Sequence, residues 1–231
     1  MLKTIFIDID NTILSFSEYV KKAMKDGFFK FNLKPYEDWM FDTFNRINDD
    51  LWHQIEEGTL TLEELKKIRW NLIFEELGVE YDGPEFEEYF RGELFSSAIL
   101  EPGAVDMLEY LSKRYVLCAA SNGPYDQQIN RLKVGGVEKY FSYIFVSSKV
   151  GASKPSREFF DCCFKELYEG EGTIYLPQEA MIIGDSVNAD VIGGKNYGMK
   201  TCLYRAQGDL GEMIPEADYV IGSLMDVVEL L

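Results

Sequence analysis

Six short stretches of this chain read as strands: TIFIDI (4–9), YVLCAAS (115–121), YIFVS (143–147), AMIIGD (180–185), KTCLY (200–204) and DYVIG (218–222). Several are apolar almost throughout, the pattern of strands covered on both faces. Segments with helical periodicity, 104–113, 125–134, 156–168 and 187–197, alternate with them. Such alternation admits few solutions, and it predicts an α/β fold built on a doubly wound parallel sheet. With 231 residues the chain can bury that core and carry a second domain besides.

The rhythm breaks once. Most of the long stretch between the first strand and the second reads as helices. Pro35 can open a helix at its first position. Thr61 and Glu64 form a capping box ahead of LEELKKIRWNLIFEEL, which Gly78 closes, and Pro84 begins another helical stretch. The expected organisation is a helical domain, 15–98, inserted into an α/β domain made of 1–14 and 99–231. Its tryptophans, Trp39, Trp52 and Trp70, are expected in the core of that helical bundle, and His53 on a helix face.

In open parallel sheets ligands bind beyond the carboxyl ends of the strands, so what each strand delivers there matters. The first ends in Asp8-Ile9-Asp10-Asn11-Thr12, and strand alternation points both acids to one side. An Asp-Asn-Thr turn explains Asp10 alone, but a carboxylate inside an apolar strand is costly without a partner or a metal. The second ends in Ser121-Asn122-Gly123, a hydroxyl and turn amides suited to an oxyanion, and also an ordinary turn. Lys154 follows the third strand, and the fourth ends in Gly184-Asp185-Ser186 with Asp190 at the start of the next helix. Taken together, four strand ends supply two acids, a hydroxyl, an ammonium and two more acids. Asp8, Asp10, Asp185 and Asp190 would repel one another without a cation, and oxygen-only ligands point to Mg²⁺.

A net charge of −17 disfavours binding to nucleic acid or an anionic membrane. No run of about 18 apolar residues is present, so no membrane span is expected. The cysteines Cys118, Cys162, Cys163 and Cys202 form no CxxC pair, and Cys162-Cys163 read as small buried thiols of a reduced, cytoplasmic protein.

The set DxDxT, the small hydroxyl residue after the second strand, Lys-Pro and GDSxxxD, in that order, resembles the haloacid dehalogenase-like superfamily of phosphotransferases. The resemblance implies a Rossmann-like core with an inserted C1-type helical cap that closes over the site and sets substrate choice. The segments LWHQIEEGTLTLEELKKIRWNLIFEELG and LEPGAVDMLEYL are further similar to the pyrimidine 5′-nucleotidase subgroup. By the resemblance, Asp8 is the nucleophile that forms an aspartyl-phosphate, and Asp10 protonates the leaving oxygen and then activates water. Mg²⁺ would be held by Asp8, the Asp10 carbonyl and Asp185, with Asp190 orienting the shell. Thr12, Ser121 and Asn122 would hold phosphoryl oxygens, with Lys154 both neutralising charge and contacting the phosphoryl group. Dehalogenases of the superfamily lack the second acid, so Asp10 favours phosphoryl transfer. The expected activity is a Mg²⁺-dependent phosphatase for small phosphomonoesters, foremost nucleoside 5′-monophosphates, acting as a monomer or homodimer. The alternatives are a sugar-phosphate or phosphoglycolate phosphatase or a phosphomutase of the same superfamily and, more distantly, a receiver-like phosphorylatable module.

Overall fold

The structure, a computed structural model, describes residues 1–206 and 216–231. Six parallel strands form its sheet: β1 (Thr4–Ile7), β2 (Val116–Ser121), β3 (Tyr143–Val146), β4 (Ala180–Gly184), β5 (Lys200–Tyr204) and β6 (Tyr219–Ile221). Their order is β3-β2-β1-β4-β5-β6. The chain winds outward from β1 through β2 to β3, then returns to the other side of β1 at β4. The carboxyl ends of β1 and β4 therefore flank the place where the winding reverses, where open α/β sheets bind ligands.

Two-residue alternation explains why the strands read as apolar runs. Ile5 and Ile7 of β1 pack on one face with Leu117, Ala119, Met181 and Ile183. Phe6 points the other way, with Cys118, Ala120 and Ile182. Helices cover both faces. Helix α5 (Ala104–Ser112) brings Met107, Leu108 and Leu111 to the first face, and α8 (Arg157–Glu171) brings Phe159, Phe160, Cys163 and Leu167 to the second. The remaining helices of the α/β domain are α6 (Tyr125–Val134), the single turn α7 (Ser147–Val150), α9 (Gly193–Tyr197), which continues a π-helical turn over Val187–Ile192, and α10 (Asp226–Leu230). Only one of the adjacent cysteines is buried. Cys163 faces the sheet and Cys162 is exposed, because neighbouring helical positions lie about 100° apart.

The chain separates into two compact units, Met1–Ser15 with Ala98–Leu231 and Phe16–Ser97. The second consists of α1 (Phe16–Lys30), α2 (Trp39–Glu56), α3 (Leu62–Leu77) and α4 (Gly83–Phe95). The capping box at Thr61 and Glu64 is formed, Gly78 ends α3 in the left-handed conformation, and Pro84 lies in the first turn of α4. Phe28, Phe44, Trp70, Phe74, Phe86 and Phe90 fill this unit's core, with Trp70 and Phe86 ring centres 4.4 Å apart. Arg69 is buried among them because Glu87 accepts two of its nitrogens (2.7 and 3.1 Å) and Asn48 a third (2.9 Å). Two expectations are corrected. Helix α2 starts at Trp39, not Pro35, because only Tyr36 of residues 35–39 is even half-buried and a helical turn there would have no face to bury. Trp39 itself is 49% exposed, with the Lys34 ammonium over its ring, so only Trp70 of the three tryptophans is fully in the core. Among the described residues no helix is long and apolar enough to cross a membrane.

Candidate active site

Asp8 follows β1 directly, and its N–H donates to the Ile183 carbonyl (2.9 Å), so the ladder between β1 and β4 runs on into the site. Its carboxylate is buried, a position that needs a partner. Lys154 supplies one, with Nζ 2.6 Å from Asp8 Oδ1, 2.6 Å from Asp190 Oδ1 and 2.7 Å from the Ala120 carbonyl. An ammonium has three protons, and these three acceptors take them all. Asn122 fixes the lysine's backbone by donating to the Lys154 carbonyl (2.8 Å) and accepting from its N–H (2.9 Å). Lys154 thus acts on Asp8 and Asp190 and, in this arrangement, has no proton to spare for a phosphoryl oxygen. The Asn122 side chain is likewise committed to the lysine.

At the end of β4, a Cβ on Gly184 would lie 2.0 Å from Asp190 Oδ2, so glycine is what lets that acid approach the strand. The Ser186 N–H donates to the same oxygen (3.2 Å). One oxygen from each of Asp8, Asp185 and Asp190 lies within 4.8 Å of the others. Burial pushes the Asp8 carboxyl up to about 7; Lys154 opposes the shift, and Asp190 and Asp10 add to it. Burial, then Asp8 and Asp190, raise Asp185 well above the usual carboxylate range. Burial alone would lower the Lys154 ammonium, but Asp190 and Asp8 outweigh it and hold the lysine charged. Three clustered acids against one ammonium leave a deficit of positive charge that an oxygen-seeking dication fits.

Asp10 is held apart from this cluster. Its Oδ1 accepts from an Arg131 terminal nitrogen (2.5 Å) and its Oδ2 from Gln128 Nε2 (2.6 Å), with the side chain one-third exposed (33%). Gln128 Nε2 also donates to Ser121 Oγ (2.8 Å), and so does the Gly123 N–H (3.1 Å). A hydroxyl that accepts twice has its own proton left to give, which suits Ser121 to an anionic oxygen. Neither Gln128 nor Arg131 was anticipated from sequence. A readable signal existed in YDQQINRLKV, where Gln128 and Arg131 sit one turn apart beside Leu132 on the same helix. All three are buried residues of α6.

The turn after Asp10 is tight. Asn11 does adopt positive φ (53°), a conformation Asn tolerates. Thr12, expected to hold phosphate, is fully buried, and its hydroxyl has no partner among the described residues. Ile13 and Leu14 both donate to the Ile9 carbonyl (2.9 and 2.8 Å), which folds the turn back on the end of the strand.

A sequence model of the haloacid dehalogenase-like hydrolase family matches residues 2–198. The HAD-hydrolase YfnB of Bacillus subtilis (strain 168) is 31% identical over 99% of this chain and 95% of its own length. Its magnesium-bound crystal structure matches with a TM-score of 0.87, covering 100% of this chain and 98% of that one. Pyrimidine 5′-nucleotidase PynA of Streptococcus pneumoniae (strain ATCC BAA-255 / R6) is 26% identical over 99% of this chain and 94% of its own. Pyrimidine 5′-nucleotidase YjjG of Escherichia coli (strain K12) is 26% identical over 87% and 85% respectively.

Proposed function

The chain belongs to the haloacid dehalogenase-like hydrolase family, and on that premise we propose that it is a Mg²⁺-dependent phosphatase of small phosphomonoesters, with nucleoside 5′-monophosphates as its substrates. The observation that carries the chemistry is the unequal setting of two acids two residues apart. Asp8 is buried against Lys154, whereas Asp10 is partly exposed and tethered beside Ser121. That division suits a nucleophile and a proton carrier. The nucleotide assignment is supported by likeness to two pyrimidine 5′-nucleotidases along most of their length.

In this reading an Asp8 oxygen bonds to phosphorus as the bond from phosphorus to the ester oxygen breaks, and that oxygen takes a proton from Asp10. Water then bonds to phosphorus, passes a proton to Asp10, and frees the Asp8 carboxylate. The Ser121 hydroxyl donates to a phosphoryl oxygen with the Asn122 amide beside it, while Lys154 holds Asp8 in place. Asp8, Asp185 and the Asp10 carbonyl would hold Mg²⁺, with Asp190 orienting the set, and the ion would neutralise the incoming phosphoryl charge.

Phosphate release is the direct test, across nucleoside monophosphates, sugar phosphates and phosphoglycolate, with and without EDTA. Metal-dependent release with nucleotides preferred supports the proposal. No release from any of them overturns it, and preference for a sugar phosphate overturns the nucleotide assignment. The raised acids predict a pH signature as well. A coordinating carboxylate must be ionised, so binding Mg²⁺ displaces protons wherever Asp8 and Asp185 hold them. Affinity for Mg²⁺ should therefore fall as pH drops below about 7, by up to about tenfold per pH unit for each proton displaced. Calorimetry at pH 6 and pH 8, in buffers of different ionisation enthalpy, reads both affinity and protons released. Equal affinity with no proton release would refute it.

A further inference from the structure

Gln128 has both ends of its amide occupied, and its neighbours dictate which end is which. Arginine carries donors and no acceptor. The Gln128 atom 2.9 Å from the Arg131 terminal nitrogen must therefore be the carbonyl Oε1. The amide nitrogen is then the end that faces Asp10 Oδ2 and Ser121 Oγ. Those two directions carry different consequences. Toward Asp10, the N–H places a donor on the carboxylate oxygen that the Arg131 contact to Oδ1 leaves over. Toward Ser121, it fills a lone pair and sends the hydroxyl proton outward.

Arg131 is almost wholly inaccessible (1% exposed), and its Nε has no partner among the described residues. Burying a guanidinium with a donor unsatisfied is a cost without structural return, which points to a task elsewhere in the group. Gly123 adds a further sign of close fitting, since a Cβ there would lie 2.6 Å from Gln128 Nε2.

We propose that Arg131 and Gln128 form a positioning unit that fixes the polarity of this network, holding Asp10 in line for proton transfer to the ester oxygen and Ser121 as a donor to the phosphoryl group. The inference rests on the phosphatase reading and extends it to two residues that touch no substrate. Their influence on the first chemical step goes through Asp10, which gives its proton to the departing oxygen as the bond from phosphorus to that oxygen breaks.

The test separates this task from general support of the fold. An alkyl phosphomonoester such as a nucleoside 5′-monophosphate needs its leaving oxygen protonated, whereas p-nitrophenyl phosphate releases a stable phenolate without help. In kcat/KM, which reports the steps through release of the leaving group, Arg131→Met should lose about 10²-fold or more on the nucleotide, the scale of general acid catalysis. The loss on p-nitrophenyl phosphate should be at least tenfold smaller. Gln128→Glu, which puts a carboxylate against Asp10 and Ser121 at unchanged size, should show the same split and stands in if Arg131→Met does not fold. Arg131→Lys, which keeps a donor-only cation, should recover part of the nucleotide activity. Equal losses on the two substrates, or no loss on either, would overturn the proposal. If the wild-type protein with Mg²⁺ turns over neither substrate, the phosphatase reading itself fails and this inference with it.

Discussion

Asp8→Asn should reduce phosphate release by at least about 10⁴-fold, the scale seen when a covalent nucleophile is removed, without weakening the fold. An amide of the same shape cannot bond to phosphorus through a carboxylate oxygen, so no acid-stable phosphoenzyme should accumulate when substrate is mixed and quenched. The stability argument runs the opposite way to the usual one for a buried acid. Burial and the neighbouring acids raise the Asp8 carboxyl to about 7 even with Lys154 beside it. In the metal-free protein the folded state therefore holds that proton more tightly than the unfolded chain does. Its stability should fall as pH rises from about 4 to about 7. At pH 8 the charge is a net burden, and asparagine removes it while Lys154 keeps Asp190 and the Ala120 carbonyl. Urea unfolding in EDTA at pH 8 should place the variant at or above the wild type. Turnover within tenfold of wild type would remove Asp8 from the mechanism, and a large loss of stability would remove the account of its charge.

Much of this was legible because strands advertise their faces. Ile5, Phe6, Ile7 and Asp8 alternate in the sequence as they do across the sheet, so an acid continuing the Phe6 face had to be either an error or a site. The helix caps were equally local: Thr61, Glu64 and Gly78 decide their turns among themselves. Gln128 and Arg131 were missed for the converse reason. A polar side chain on a helix defaults to solvent, and only the tertiary approach of Asp10 and Ser121 turns this face of α6 inward. Trp39 misled. Its size argues for burial, but it precedes Met40, the first fully buried residue of its helix.

Lys154→Met should cost stability on the order of 3–5 kcal/mol in metal-free buffer near pH 8, the range for removing one partner of a buried ion pair. Methionine fills most of the lysine's path, and the Asn122 bracket holds the backbone at both its N–H and carbonyl. Lost packing is therefore a minor part of the effect. What is lost is the charge opposite Asp8 and Asp190, two acids with side chains 11% and 1% exposed. Left unpaired, they escape the penalty by taking up protons. The folded variant then binds protons that the unfolded chain releases above about pH 4, so its stability declines with rising pH more steeply than the wild type's. The lysine's ammonium, held charged by the same acids, lessens that decline in the wild type without removing it, since Asp8 still stands at about 7 beside it. The difference between the two proteins should be small at pH 5 and large at pH 8, and Mg²⁺ should narrow it at pH 8 by supplying part of the missing charge. Urea titrations at both pH values, with Mg²⁺ and with EDTA, measure all four terms. A gap of the same size at pH 5 and pH 8 would mean that Lys154 serves packing, and the electrostatic role of the Asp8–Lys154–Asp190 cluster would have to be abandoned.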